Sequence, residues 1–144
     1  MPLIVRKAAV CDTGALCRLA EQLTGEEATP EQAEAAFREI EANPAFHLLV
    51  AVEDEEVVGS LYLVVASNVT HGGRPFGVVE NVIVDEARRR RGIGRALMDE
   101  AIGIARQAGC YKLFLGSNVK RADAHEFYRA LGFHVHGPVF RMDL

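Results

Sequence analysis

Long apolar runs are missing from this sequence, cysteines are scarce, and positive charge is outnumbered by negative. Each shortage excludes something. No apolar stretch approaches the roughly 20 residues that a helix needs to cross a bilayer, so no membrane span is expected. The opening "MPLIVRKAAV" lacks the charged lead, long apolar stretch and small-residue cleavage site of a secretory leader. The chain is therefore read as cytoplasmic, and the sequon Asn68-Val69-Thr70 as an accident of composition. Cys11, Cys17 and Cys110 are odd in number and have no metal-ligand spacing, which predicts reduced thiols, buried or inert. Sixteen Lys and Arg against 20 Asp and Glu leave a formal net charge of −4, against the basic balance usual for a nucleic-acid binder. There is no repeat, linker or low-complexity segment.

What remains is ordinary for a globular protein. With 144 residues, 49% hydrophobic and 25% charged, the chain can bury a substantial core, and one domain over 1–144 is expected. Leu3 to Lys7 reads as a strand. Asp12 is placed to cap a helix through "GALCRLAEQL". Thr29-Pro30 opens a second helix, with Gln32 completing a capping box, and Asn43-Pro44 ends it. "FHLLVAVEDEEVVGSLYLVVAS" reads as a hairpin around the acidic turn Glu53 to Glu56, and "NVTHGGRP" as a loop. In the strand "GVVENVIV", alternation puts Val78, Glu80, Val82 and Val84 on one face and Val79, Asn81 and Ile83 on the other. A helix from Ile93 to Ala108 stops at Gly109. "YKLFLGS" reads as a buried strand and "ADAHEFYRALG" as a helix closed by Gly132. "FHVHGPVFRMDL" reads as two short strands around Gly137-Pro138. The order is that of a mixed α/β (α+β) domain around one sheet.

The segment that carries chemistry is "VIVDEARRRRGIGRALM", Val82 to Met98. Glycines where a strand-loop becomes a helix allow close backbone approach, and the first-turn amides of a helix have no intrahelical acceptors. Together with the helix dipole they form an anion site, which neighbouring arginines reinforce. A pyrophosphate-sized anion fits these features. "GIGRAL" contains G-x-G-x-x-A, but a dinucleotide-binding helix follows its strand directly, and here seven residues separate Val84 from Gly92. The phosphate loop G-x-x-x-x-G-K-[ST] is absent.

"RRRGIG", Arg89 to Gly94, resembles the Arg/Gln-x-x-Gly-x-Gly/Ala signature of the GNAT superfamily of acyl-CoA-dependent N-acetyltransferases. The element order is similar to that family's over essentially the whole chain. "NVKRADAHEFYRALGF", Asn118 to Phe133, is similar to the family's late helix, which carries a Tyr and closes with Gly-Phe. The resemblance implies a GNAT-type fold, a mixed central sheet of about seven strands flanked by about four helices. It implies acetyl-CoA as co-substrate, its pyrophosphate held by Arg89, Arg90, Arg91, Gly92, Ile93, Gly94 and Arg95. The backbone of Val82, Ile83 and Val84 would hold the pantetheine arm. Tyr128 matches the tyrosine that protonates the departing thiolate, a role suited to a phenol whose ordinary pKa is about 10.

Glu80 interrupts an apolar strand two residues from Val82 and is the candidate base for a protonated amine, or else a cation-binding carboxylate. Many members have Asn seven residues before the tyrosine. Here that position is Arg121, and Asn118, one turn earlier, is the alternative contact to the cofactor arm. "NVKRADAHEFY" also resembles aminoalkylphosphonate N-acetyltransferases, whose anionic acceptor could meet Arg121, His125, His71 or Arg74. The expected reaction is direct attack by a primary amine of a small molecule or peptide in a ternary complex. No cysteine stands in a catalytic motif, so no acetyl-enzyme is expected. His134-x-His136 alternates along a strand pattern, and no metal is expected. The alternative is a non-catalytic acyl-CoA-binding or regulatory module on the same fold. Nucleic acid is not an expected partner. The resemblance also implies a homodimer, paired through the last strands.

Overall fold

The alternation over residues 46–66 folds into the hairpin that organises the sheet. In the computed structural model, which describes residues 2–116 and 122–144, β2 (Phe46–Glu53) and β3 (Glu56–Ala66) are antiparallel. They are joined by Asp54 and Glu55, both left-handed at φ 50° and 63°. Two left-handed residues match the twist of the flanking strands. β1 (Ile4–Lys7) adds to the outer edge of β2 and β4 (Phe76–Val84) to that of β3, both antiparallel. β5 (Leu113–Leu115) lies beside β4, giving the order β1-β2-β3-β4-β5. The amide of Tyr111 donates to Pro75 and that of Gly77 to Lys112, an ascending register on both segments that makes β4 and β5 parallel.

The chain divides into two compact units, Met1–Phe114 and Leu115–Leu144. In the first, residues 48–51 and 58–61 are buried without alternation, because both sheet faces are covered. Helices α1 (Thr13–Thr24) and α2 (Pro30–Ala42) cover one face, and α3 (Ile93–Gln107) the other. The glycine of β3, Gly59, faces α3 so closely that a Cβ there would lie 2.9 Å from Ile93 and 3.1 Å from Leu97. Ile93, Leu97, Met98, Ala101 and Ala105 form the buried stripe of α3. Each large member of it contributes roughly 1.5–3 kcal/mol by leaving water.

The capping box of α2 is present: the Gln32 amide donates to the Thr29 hydroxyl at 3.1 Å, and the Thr29 amide to Gln32 Oε1 at 3.0 Å. Asp12 behaves differently from the expected cap. Its carboxylate makes no side-chain cap to α1. It accepts the Ala9 amide at 2.7 Å and both guanidinium nitrogens of Arg6, at 2.8 and 3.0 Å. A buried carboxylate is better satisfied by a guanidinium fork than by helix amides alone.

The second unit holds α4 (Ala122–Ala130), followed by a left-handed Gly132 at φ 104°. The two strands expected over 133–144 are not formed, so the described sheet has five strands rather than about seven. Val135, Val139, Phe140, Met142 and Leu144 are all exposed. Alternation specifies which residues would share a strand face, but a strand also needs an edge to pair with. β5 departs from expectation too: Phe114 is 44% exposed, so the strand is not of the fully buried type. No helix among the described residues is long and apolar enough to cross a membrane.

Candidate active site

β4 contains one residue more than β3 can match. Tyr62 stands opposite Glu80, yet Ser60 stands opposite Ile83, so three residues of β4 span two of β3. The extra residue is Asn81, left-handed at φ 52°. Asn tolerates that conformation better than other non-glycine residues, and the arrangement is a β-bulge.

The bulge corrects the expected faces. Glu80 and Ile83 lie on the side of α1, where Ser60, Tyr62, Asn81 and Ile83 line a small groove with Leu16, Ala20 and Leu23. Val84 pairs with Gly59 and so faces α3, and Val82, two residues earlier, shares that side. Glu80 and Val82 are therefore on opposite faces. A slip of one residue reverses every side chain beyond it. Glu80 is exposed, while Ile83 is buried and Val82 and Val84 are half-buried. Beside Glu80, burial pushes the Tyr62 phenol above its ordinary pKa, and Cys17 adds to the effect.

After β4 the chain is pinned before it reaches the glycines. Asp85 accepts the Ala87 amide at 3.1 Å and Arg88 Nη1 at 2.8 Å. The other arm of Arg88 reaches Glu56 in the hairpin turn. Gln22 of α1 accepts the Glu86 amide at 3.1 Å. Arg91 approaches Glu53 at 3.5 Å, and Arg95 pairs with Asp99 one turn along α3 at 3.8 Å. Arg89 and Arg90 are exposed and have no carboxylate partner among the described residues. The arginine run thus splits into anchored and available members.

Arg90 and Gly92 are left-handed, at φ 67° and 80°, turning the chain into α3. Gly92 has no side chain to cap the helix, and nothing lies within 4 Å of where its Cβ would be. Open space over uncapped first-turn amides, with two unneutralised arginines alongside, fits a pyrophosphate. Behind the loop, a polar pocket of about 400 Å³ is bordered by Glu55, Glu56 and Asp85, carboxylates that make it a poor host for phosphate.

In the second unit Tyr128 is half-buried on α4. Its ring meets Phe127 and Phe133 edge-on at 5.2 and 5.9 Å, and its carbonyl accepts the Leu131 and Phe133 amides. His125 is half-buried on the same helix. Asn118 and Arg121 lie outside the described residues. Cys11 is exposed rather than buried, while Cys17 and Cys110 are half-buried. No group of three or more His, Cys, Asp or Glu placed to hold a metal occurs among the described residues. Tyr62 and the anchor Arg88 escaped the sequence reading. The signal for the bulge was there: an Asn within an apolar strand.

Residues 15–133 match the model of the acetyltransferase (GNAT) family. The chain belongs to the GNAT acetyltransferase family. It is 41% identical over 88 residues to glucosamine 6-phosphate N-acetyltransferase of Trypanosoma brucei brucei, covering 61% of this chain and 58% of that protein. It is 34% identical over 91 residues to aminoalkylphosphonate N-acetyltransferase of Salmonella typhimurium, covering 63% and 58%. Among solved structures, a Bacillus halodurans protein described as a transcriptional regulator superimposes with a TM-score of 0.92. That protein is 30% identical, with 99% of this chain and 100% of that one covered. The chain spans 58% of the length of the two curated relatives. The GNAT fold expected from the arginine–glycine signature is thus present.

Proposed function

We propose that this GNAT domain, residues 1–144, is an N-acetyltransferase that moves the acetyl group of acetyl-CoA to a primary amine of a small molecule or peptide. The observation that carries the reading is the bulge at Asn81. It leaves Glu80 exposed on one face of β4 and reverses the faces of Val82 to Val84 beyond it, on the strand that leads into the Arg89–Gly94 turn. Arg89, Arg90 and the first-turn amides at Ile93, Gly94 and Arg95 hold the pyrophosphate, with Arg91 held near Glu53 alongside. The backbone of Val82, Ile83 and Val84 receives the pantetheine arm, with Asn118 or Arg121 as a further contact.

Bound acetyl-CoA supplies a thioester carbonyl to an attacking amine. Glu80, directly or through a water, takes the proton that the amine must lose. Tyr128 gives its hydroxyl proton to the thiolate as the carbon–sulfur bond breaks. Holding both reactants in one complex contributes much of the rate. The two curated relatives named above are N-acetyltransferases of amines that carry a phosphate or phosphonate, and they support an amine acceptor here. The enzyme works in the cytoplasm as a homodimer, without nucleic acid and without a metal.

CoA release followed with a thiol reagent tests the reading, using acetyl-CoA against amino sugars, aminoalkylphosphonates, polyamines, aminoglycosides and peptides. Turnover on one amine class, reduced about 10²–10⁴-fold by Tyr128→Phe, is the expected result. A second reading, a non-catalytic acyl-CoA-binding regulatory module, draws on the Bacillus structure described as a transcriptional regulator. Acetyl-CoA binding with no turnover of any amine supports it instead.

A further inference from the structure

Two cations at the starts of β4 and β5 lie against one aromatic ring, with no carboxylate partner among the described residues. Arg74 Cζ and Lys112 Nζ lie 5.7 and 5.5 Å from the centroid of the Tyr111 ring, and both side chains are exposed. Neither has a carboxylate partner among the described residues, whereas Arg6, Arg88, Arg91 and Arg95 all do. Other exposed cations among the described residues are unpaired too; these two are set apart by sharing one aromatic ring.

The pair is built into the structure. The Asn68 amide donates to the carbonyls of Thr70 and Arg74, at 3.3 and 3.2 Å, and Arg74 Nε donates to the His71 carbonyl at 3.0 Å. His71, Gly72 and Gly73 are successive left-handed residues, and the His71 ring stacks on Tyr111 at 3.9 Å and 11°. The Tyr111 amide donates to Pro75, fastening the loop to the start of β5. Lys112 sits over Phe76 and Phe114 as well, at 5.8 and 5.1 Å. Such ring contacts hold a cation without neutralising it.

Register places Lys112 on the same side of the sheet as Glu80. A Cβ at Gly77 would lie 2.7 Å from Leu113 and 3.8 Å from Ala105, so Gly77 and Leu113 face α3. Their neighbours Phe76, Lys112 and Phe114 therefore face the other way. Before the bulge Glu80 shares that side with Phe76. Gly77, which bonds Lys112, is three residues from Glu80, about 10 Å along the strand. With the Glu80 and Lys112 side chains taking up part of that span, a small molecule with an amine at one end and an oxoanion at the other is long enough for the rest.

We propose that Arg74 and Lys112 form the subsite for the phosphate or phosphonate group of a small amine acceptor whose amine is presented to Glu80. This rests on the acetyltransferase reading above and narrows it. The test compares glucosamine 6-phosphate with glucosamine, and aminoethylphosphonate with ethylamine, as acceptors and as ligands in calorimetric titrations. The wild-type protein is set beside Arg74→Ala and Lys112→Ala. Arg74→Lys and Lys112→Arg control for folding.

The expected result is a fall of about 10- to 100-fold in the preference for the phosphorus-bearing amine in each alanine variant, carried by KM. The charge-retaining variants recover most of it. The two pairs separate a phosphate ester from a phosphonate. No preference in the wild type, or an unchanged preference in both alanine variants, overturns the proposal. Binding of the phosphorylated amine that depends on Arg74 and Lys112 but gives no turnover upholds the subsite and sinks the acetyltransferase reading.

Discussion

Tyr62 and Glu80 face each other across β3 and β4 at the last matched position before the pairing slips by one residue. Glu80 keeps the register of the pairs before it, with a half-buried phenol as its neighbour on the α1 side, and the slip reverses the faces of the residues beyond it. If Glu80 accepts the proton of the amine, Glu80→Gln lowers kcat/KM by about 10²–10⁴ near neutral pH. The deficit shrinks as pH rises, because more of the amine is then already deprotonated. A pH–rate profile of the two proteins checks this. A deficit that does not vary with pH would mark Glu80 as a binding carboxylate.

The Arg88–Glu56 pair ties the pyrophosphate loop to the β2–β3 turn from outside the proposed cofactor contacts. Glu56→Gln removes one tether and leaves Asp85, which also accepts the Ala87 amide. KM for acetyl-CoA should rise no more than about fivefold, as for other exposed ion pairs, with kcat at saturation unchanged. Asp85→Asn should raise it further, since it weakens both the pair and the turn. Initial-rate kinetics at varied acetyl-CoA separate the two.

Asp12 gives the fold an acid-sensitive joint. The Arg6 guanidinium holds its carboxyl below the ordinary value, assisted by the Ala9 amide and opposed by burial. A lowered folded pKa means that the contribution is complete above the ordinary carboxylate value near 4 and is lost as pH falls through the folded value. Asp12→Asn should cost about 1–3 kcal/mol at pH 7, toward the lower end because Arg6 is part-exposed. It should also flatten the acid limb of a melting-temperature profile between pH 7 and 3.

Gly59 is where the sheet and α3 meet most closely. A Cβ there would lie 3.0 Å from the Ile83 carbonyl as well as against Ile93 and Leu97. A backbone oxygen cannot step aside as a side chain can, so Gly59→Ala should destabilise by about 1–3 kcal/mol. Thermal unfolding should show a drop of roughly 2–4 °C per kcal/mol. Gly103→Ala on the exposed face of α3, where nothing lies within 4 Å, is the control and should leave the melting temperature unchanged or slightly raised, since Ala is the better helix former.

The elements that were legible in the sequence are those whose causes are local. Thr29, Pro30 and Gln32 specify the start of α2 within four residues, and their hydrogen bonds form as the spacing predicts. Asp12 has the same local credentials as a cap, but Arg6, six residues away on β1, takes its carboxylate. The bulge depends on how residues 80–83 pair with residues 60–62, which no window along β4 contains. The tail over 133–144 alternates like a strand and still forms none.

By itself the sequence determined the order of elements as far as α4, the arginine–glycine turn into α3 and membership of the GNAT family, because these rest on residue types at short, fixed spacings. Tertiary structure alone decided which arginines keep their charge available. Arg88 and Arg91 are claimed by Glu56 and Glu53, 32 and 38 residues distant along the chain. It decided which way Val82 to Val84 face relative to Glu80, and it brought Arg74 and Lys112 to one ring. Coulomb interactions and strand pairing act through space, so charge availability and side-chain direction are settled only when distant segments meet.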